Sequence, residues 1–219
     1  MASTFPGAID SFTDPLSGSA LNSPSHSAQH ADLNDAAEKI ETYMGLVKVV
    51  PTGATNGTVG ATGTVTIGNA VTSLTVSGAF SSLYDNYKIM VDVTTQSAPG
   101  ASIGMSLNNA TGATYLHGGI YMLFGSTTVN GYGPPITTSW TDLMAGGSPS
   151  CASIDLHNPF ATRPTVALCS SVRGNVSPSY GHYVMNGLET SSNSHTAFTI
   201  TCISGNMTGG SVRVYGYRN

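Results

Sequence analysis

The chain has 219 residues, of which 40% are hydrophobic and only 8% charged, and its formal net charge is −4. This composition excludes a charge-solvated disordered chain. Seven Lys and Arg residues are too few for the clustered phosphate contacts of a nucleic-acid-binding protein. No stretch reaches the roughly 18 apolar residues of a transmembrane helix, so we expect no membrane insertion.

Residues 1–24 are predicted to form an extended arm. Prolines and glycines oppose a helix here, yet the segment carries large apolar side chains that are costly to leave in water. We therefore expect the arm to dock onto another protein, with a flexible tail as the alternative. The expected docking residues are Phe5, Ile9, Phe12, Leu16 and Leu21.

Residues 25–46 are predicted to form a short amphipathic helix. Ser25 or Ser27 can cap its N-terminus, and Gly45 stands where a left-handed C-terminal cap belongs. A lone helix of this length is marginal in water, so its apolar seam needs a partner. We expect identical helices to bury the seam in a homotrimeric coiled coil; packing against the chain's own β domain is the alternative. The seam residues, spaced 3-4-3-4, are Leu33, Ala36, Ile40, Tyr43 and Val47.

Residues 47–72 are rich in Gly, Thr and Val. A loop of this length inside a compact domain is unusual. The segment is therefore predicted to be an extended connector or a short fibrous β shaft.

Residues 73–219 are predicted to form the main domain. Short runs with alternating apolar residues, such as "SLTVSGAF" and "YKIMVDV", are separated by turn clusters such as "SAPGA" and "AGGSPS". Eight or nine short strands without an intervening helix predict a mainly β fold, an antiparallel β-sandwich of the jelly-roll type. Flat apolar strands with few guarding charges favour an oligomer.

Two parts of the sequence resemble a known family. The stretch "LNSPSHSAQHADLNDAAEKIE" resembles the segment that precedes a short coiled coil in many tailed-bacteriophage virion proteins. The matching residues are Pro24, Ser25, His26, Gln29, His30, Asn34, Asp35 and Ala36. The stretches "FSSLYDNYKIMVDV", "IDLHNPFATRPT" and "GGSVRVYGYRN" are similar to the β-sandwich tip of phage fibre-type proteins. Together these stretches cover about half of the chain.

The resemblance implies a virion structural protein, a tail fibre or minor tail protein, commonly trimeric, that attaches to the host surface. Its partners would be further copies of itself and, through residues 1–24, other virion proteins. Similar modules also occur in phage head fibres, so a capsid fibre or decoration protein is the alternative. A cellular carbohydrate-binding module is the second alternative.

The sequence predicts no enzyme, no metal site and no cofactor. The stretch "GASIG" around Ser102 has the form GxSxG, and Asp155 with His182 or His195 follows in the order of a hydrolase triad. A nucleophile elbow, however, needs a strand, a turn and a helix, whereas a strand and a turn follow here. Cys151, Cys169 and Cys202 are far apart in sequence, which predicts free thiols. With no secretory signal at the N-terminus, we expect assembly into a virion in the host cytoplasm.

The sequence favours binding of a host cell-surface glycan over catalysis. Aromatic side chains in or beside loops can stack on sugar rings, and loops at one end of a sandwich commonly carry recognition. Trp140 is the only tryptophan, and a place in the core is its alternative. The candidate glycan-binding residues are Tyr132, Trp140, Tyr180 and His182.

Overall fold

A computed structural model describes residues 26–43, 45–98, 100–174 and 180–218. The elements are α1 His26–Tyr43, β1 Leu46–Val49, β2 Gly53–Thr55, β3 Gly57–Val59, β4 Val65–Ile67, β5 Ser73–Ser77, β6 Asn86–Gln96, β7 Ile103–Leu107, β8 Tyr115–Leu123, β9 Val129–Tyr132, β10 Trp140–Met144, β11 Ser150–His157, β12 Thr165–Arg173, β13 Gly181–Glu189, β14 Ala197–Cys202 and β15 Met207–Tyr217. Within these ranges, no helix is long and apolar enough to cross a bilayer.

The chain divides after Gly45 into a helical unit and a β unit. In the helical unit, α1 has 18 residues and lies inside the predicted range of 25–46. Gly45 has a φ of 83°, the left-handed conformation expected after a helix end. Leu33 is 59% exposed, whereas Ala36 is buried.

Two of the predicted anchoring features fall outside the described residues. The first is the arm with its docking residues Phe5, Ile9, Phe12, Leu16 and Leu21. The second is the pair of seam side chains of Ile40 and Tyr43. Both features stay predictions.

The β unit consists of two antiparallel sheets. The large sheet has the order β3-β4-β15-β6-β11-β12-β13-β8-β9, with β1 also paired to β15. The small sheet has the order β10-β7-β14-β5-β2. One hydrophobic core takes residues from both sheets, an arrangement consistent with a β-sandwich.

Alternation along the strands builds this core. In β6, the buried positions Tyr87, Ile89, Val91 and Val93 alternate with more exposed ones, as "YKIMVDV" predicts. The Tyr87 hydroxyl group donates a hydrogen bond to the Ser81 carbonyl oxygen, at 2.8 Å, and accepts one from the Ser81 amide. The aromatic ring is thereby buried without leaving its hydroxyl group unpaired.

The predicted connector at 47–72 differs from the structure, which builds these residues into both sheets. Strands β1 and β4 pair with β15, β3 pairs with β4, and β2 pairs with β5 of the small sheet. Val65 and Ile67 are buried, so β-branched residues at alternate positions make a strand here. Val47, predicted for the helical seam, lies instead in β1 opposite Gly216.

Residues 73–217 contain eleven strands within the described ranges, more than the eight or nine predicted. The additional strands include β9 and β10, in stretches that the sequence suggested were a turn and a loop. Both are short and lie at sheet edges.

Candidate functional site

Side chains from both sheets line a notch with a volume of about 90 Å³. The large sheet contributes from β8, β9, β12 and β13, and the small sheet from β10 and the residues before β7. The lining residues are Gly100, Ser102, Tyr121, Tyr132, Asp142, Met144, Ala145, Gly146, Arg173, Tyr183 and Met185. We call this feature the tyrosine notch.

Two stacked tyrosines form one wall of the tyrosine notch. Tyr121 on β8 lies directly opposite Tyr183 on β13 in the strand register. Their ring centroids are 5.1 Å apart, and the planes are inclined by 11°. Tyr183 lies on the inward-facing side of β13, two residues before the buried Met185. The tyrosine pair therefore lies at the edge of the hydrophobic core, where the core meets solvent.

Asp142 is the anionic centre of the tyrosine notch. It accepts hydrogen bonds from the hydroxyl groups of Tyr132, Ser102 and Thr141. Burial by itself raises the pKa of Asp142, but these donors and the nearby His117 outweigh it and leave the pKa below its usual value. The carboxylate is therefore ionised at neutral pH.

Tyr132 keeps its proton under the same conditions. Burial raises the pKa of its hydroxyl group, and the hydrogen bond to the ionised Asp142 raises it further, to about 12. Tyr132 is 38% exposed, so part of this residue is accessible to a ligand. Tyr132 therefore combines a fixed hydroxyl group with an accessible aromatic surface.

His117 lies behind this group. Its Nε2 atom is 3.2 Å from the Thr141 Oγ1 atom, and Thr141 donates onward to Asp142 at 3.0 Å. Since the Thr141 hydrogen is used by Asp142, His117 Nε2–H donates to Thr141. Burial lowers the pKa of His117 more than the nearby Asp142 raises it, so the ring is neutral at pH 7.

Arg173 supplies a cation at the end of β12. Its Nη1 atom donates to the Tyr183 hydroxyl group at 3.3 Å. Its Nε atom is buried and has no hydrogen-bond partner within the described ranges. A buried donor without a partner is costly, and a bound polar group could satisfy it.

This combination of groups suits a polyhydroxy ligand. Aromatic faces pack on the apolar face of a sugar ring, while a carboxylate and a guanidinium exchange hydrogen bonds with its hydroxyl groups. The notch is small, so it would hold one terminal sugar or part of one.

The structure separates the four residues predicted for glycan binding. Tyr132 lines the notch, whereas Tyr180 and His182 are not among its lining residues. The prediction for Trp140 is wrong, because its side chain is fully buried. Its ring packs edge-to-face on Tyr115, with 5.0 Å between the ring centroids. Its ring belongs to the core and offers no surface to a sugar.

Sequence reasoning missed several notch residues: Ser102 as a hydrogen-bond donor, Tyr121, Asp142, Arg173 and Tyr183. Tyr121 and Tyr183 both stand at inward-facing positions near strand ends, where the core meets solvent. Their positions in the alternating pattern of each strand could have indicated from the sequence that both side chains face inward. The register that places them opposite each other could not be read from the sequence.

The hydrolase-like set of residues has separate partners in the structure. Ser102 donates to Asp142, whereas Asp155 accepts from Lys88 at 3.1 Å. His182 Nε2 lies 3.0 Å from Ser170 Oγ, and His195 lies against Glu189. Within the described ranges, no group of three His, Cys, Asp or Glu side chains could hold a metal ion.

A second polar cluster is fully buried. Glu189 Oε2 lies 3.2 Å from His195 Nε2, and both side chains are inaccessible to solvent. Ser191 donates to the Glu189 carboxylate from its amide and its hydroxyl group. Burial by itself raises the pKa of Glu189, but the hydrogen bonds from Ser191 and His195 outweigh it and leave the pKa lowered. This cluster fixes the β13–β14 loop.

No protein-family model matches the sequence, and no curated protein matches it significantly.

Proposed function

We propose that this protein is a non-enzymatic bacteriophage virion protein that attaches the particle to its host by binding a surface glycan in the tyrosine notch. In this proposal it is a homotrimeric tail fibre or minor tail protein. The single observation that supports attachment best is the notch itself. The notch brings three tyrosines, an ionised Asp142 and Arg173 together between the two sheets of the β unit.

The strand order supports a jelly-roll assignment for the β unit. Strands β4, β6, β11 and β15 lie in the large sheet, and β5, β7, β10 and β14 lie in the small sheet. The last two of these strands return to the first ones: β14 pairs between β5 and β7, and β15 pairs between β4 and β6. Such interleaved Greek keys characterise jelly rolls, which occur in capsid proteins and lectins.

Four further strands are additions to these eight strands, which we call the jelly-roll frame. The pairs β8–β9 and β12–β13 are inserted between frame strands and lengthen the large sheet beyond β11. They also contribute Tyr121, Tyr132, Arg173 and Tyr183 to the tyrosine notch. Much of the proposed binding site is therefore built on additions to the eight-stranded frame.

Anchoring is assigned to the N-terminal part. In the proposal, residues 1–24 dock onto other virion proteins, and α1 bundles with the same helix of two further copies. Three copies would present three notches, so weak individual contacts with a repetitive surface polysaccharide would add to a useful avidity.

Binding to polysaccharide tests the attachment proposal. Fluorescently labelled full-length protein would be titrated with surface polysaccharides purified from bacteria: lipopolysaccharide O-chains, capsules and teichoic acids. We expect saturable binding to one class, and the Tyr132→Ala variant should bind about tenfold more weakly, a loss of about 1.4 kcal/mol.

Tyr180→Ala is the matched control, because Tyr180 is a similarly exposed tyrosine outside the notch, at 41% against 38% for Tyr132. It should bind like the wild type. Equal binding by the two variants would contradict the proposal, and so would the absence of binding to every class.

A further inference from the structure

The tyrosine notch has a cationic end and an anionic end. The strands of the large sheet that line it follow the order β12-β13-β8-β9, with the stacked Tyr183 and Tyr121 on the middle two. Arg173 on β12 therefore stands on one side of the stacked pair, and Tyr132 on β9 stands on the other. Three strand spacings of about 4.8 Å separate the backbones of β12 and β9 by about 14 Å. Because Tyr132 donates to Asp142, the carboxylate of the notch lies at the β9 end.

The small sheet shows the same separation of charges. Thr141, the neighbour of Asp142 on β10, lies 3.2 Å from His117 on β8. The amide of Ala145, three residues after Asp142, donates to Ser171 on β12 at 3.1 Å. Three residue steps along a strand span about 10 Å. In the described part of the chain no ion pair joins the Asp142 carboxylate to the guanidinium at the β12 end.

Asp142 makes the anionic end unsuitable for a second anion. The hydroxyl groups of Tyr132 and Thr141 both donate to its Oδ2 atom. Since the Asp142 carboxylate is ionised, a ligand carboxylate beside it would be repelled. Ligand hydroxyl groups, which can donate a hydrogen bond to a carboxylate, suit this end of the notch.

Arg173 leaves most of its hydrogen-bonding capacity unused at the cationic end. A guanidinium has five N–H donors. Among the described residues, Arg173 has one hydrogen-bond acceptor, the Tyr183 hydroxyl oxygen, 3.3 Å from Nη1. The Nη2 atom has no partner there and, unlike the buried Nε atom, is reached by solvent. The cationic end therefore offers a positive charge and free donors without an acceptor of its own.

We propose that the sugar bound in the tyrosine notch carries a carboxylate, as uronic and sialic acids do, and that Arg173 binds this carboxylate. The inference rests on the attachment function proposed above and names the ligand class of the same site. A guanidinium binds a carboxylate through charge-assisted hydrogen bonds, which are about twice as strong as neutral ones. The sugar ring would then lie along Tyr183 and Tyr121, with its hydroxyl groups toward Asp142.

The size of the notch favours a carboxylate over a phosphodiester, another anion of bacterial surface polymers. The notch has a volume of about 90 Å³, roughly the space that three water molecules take in the liquid. A carboxylate is flat and ends the branch that carries it, whereas a phosphodiester is tetrahedral and continues into a chain on both sides. The notch therefore has room for a carboxylate beside part of a sugar ring.

A chemical change in the ligand tests the inference without altering the protein. The full-length protein would be titrated with capsular polysaccharides that contain uronic or sialic acid, before and after reduction of their carboxyl groups to primary alcohols. We expect the reduced form to bind at least about tenfold more weakly, because a charged hydrogen-bonded pair is lost. Neutral capsular polysaccharides should bind as weakly as the reduced form.

The Arg173→Gln variant tests the other partner of the same contact. It should bind the native polysaccharide at least about tenfold more weakly than the wild type does, and it should bind the reduced form as the wild type does. A merely structural role of Arg173 would weaken the binding of both forms by the same factor. Arg213→Gln is the matched control, because Arg213 is an exposed arginine on β15 that does not line the notch. It should bind both forms like the wild type.

The inference fails if the wild-type protein binds native and reduced polysaccharide equally well, if Arg173→Gln weakens both forms equally, or if only neutral polysaccharides or phosphodiester-linked teichoic acids bind. In each of these cases the attachment proposal stands. Absence of binding to every class of polysaccharide overturns both. If the Arg173→Gln variant does not fold, the comparison of the two ligand forms on the wild-type protein decides by itself.

Discussion

Gly187 presents its bare backbone to the indole ring of Trp140, so closely that a methyl group at position 187 would lie 2.4 Å from the Nε1 atom. Gly187 is on β13 of the large sheet, and Trp140 is on β10 of the small sheet. The glycine therefore makes room for the largest buried side chain between the two sheets. This contact explains why the only tryptophan lies in the core.

Gly187→Ala should destabilise the protein. The added methyl group must displace a rigid ring that is buried on all sides, and overpacking of this kind costs about 1–3 kcal/mol. The measurement is the free energy of unfolding from urea denaturation. Gly53→Ala is the control, because its methyl group would meet no atom within 4 Å in strand β2. A Gly187→Ala protein as stable as the Gly53→Ala protein would contradict the packing described here.

Glycan binding in the tyrosine notch should be constant between pH 5 and 9. The pKa of Asp142 is lowered and that of Tyr132 is raised to about 12, so neither group titrates in this interval. The pKa of His117 is lowered by burial, so its ring stays neutral over most of it. The measurement is the dissociation constant for the polysaccharide across this range. An inflection near pH 6.5, the usual pKa of histidine, would show that a protonated imidazole takes part, contrary to this prediction.

Glu189→Gln should lower stability at pH 7 by about 3 kcal/mol, because it removes one partner from a fully buried hydrogen-bonded pair. The sign of the pH dependence follows from the lowered pKa of Glu189. Its contribution is present above the unfolded pKa of about 4.3 and is lost as pH falls through the lower folded value. The difference between wild type and variant should therefore shrink in acid.

Urea denaturation at a series of pH values and one protein concentration measures this effect. Asp85→Asn, at an exposed position, removes a charge without breaking a buried pair and serves as the control. A constant difference between wild type and Glu189→Gln down to pH 2 would refute the role of the ionised carboxylate.

The sequence predicted the mainly β, antiparallel fold because alternation is a local signal. The run "YKIMVDV" contains the pattern that buries Ile89, Val91 and Val93 in β6. Strands β9 and β10 lack such a clear signal, and in β9 the residues Asn130 and Gly131 are typical of turns. These short strands form through pairing with β8 and β7, which is a tertiary effect.

The candidate site was less accessible from the sequence than the fold. Tyr132 was found because glycines flank it. Asp142 and Arg173 are 31 residues apart, and only the packing of the two sheets brings both to one notch. Trp140 was predicted as a binding residue because it lies between turn clusters in the sequence. In the structure it belongs to β10, an edge strand, and its side chain is buried.

The most direct test of the central claim is the mass of the full-length protein in solution. Sedimentation equilibrium at micromolar concentration should give three times the chain mass of 22.4 kDa, and the same result should hold at several loading concentrations. A single species of 22.4 kDa would contradict the claim. Such a protein would fit the carbohydrate-binding module, for which a monomer is expected.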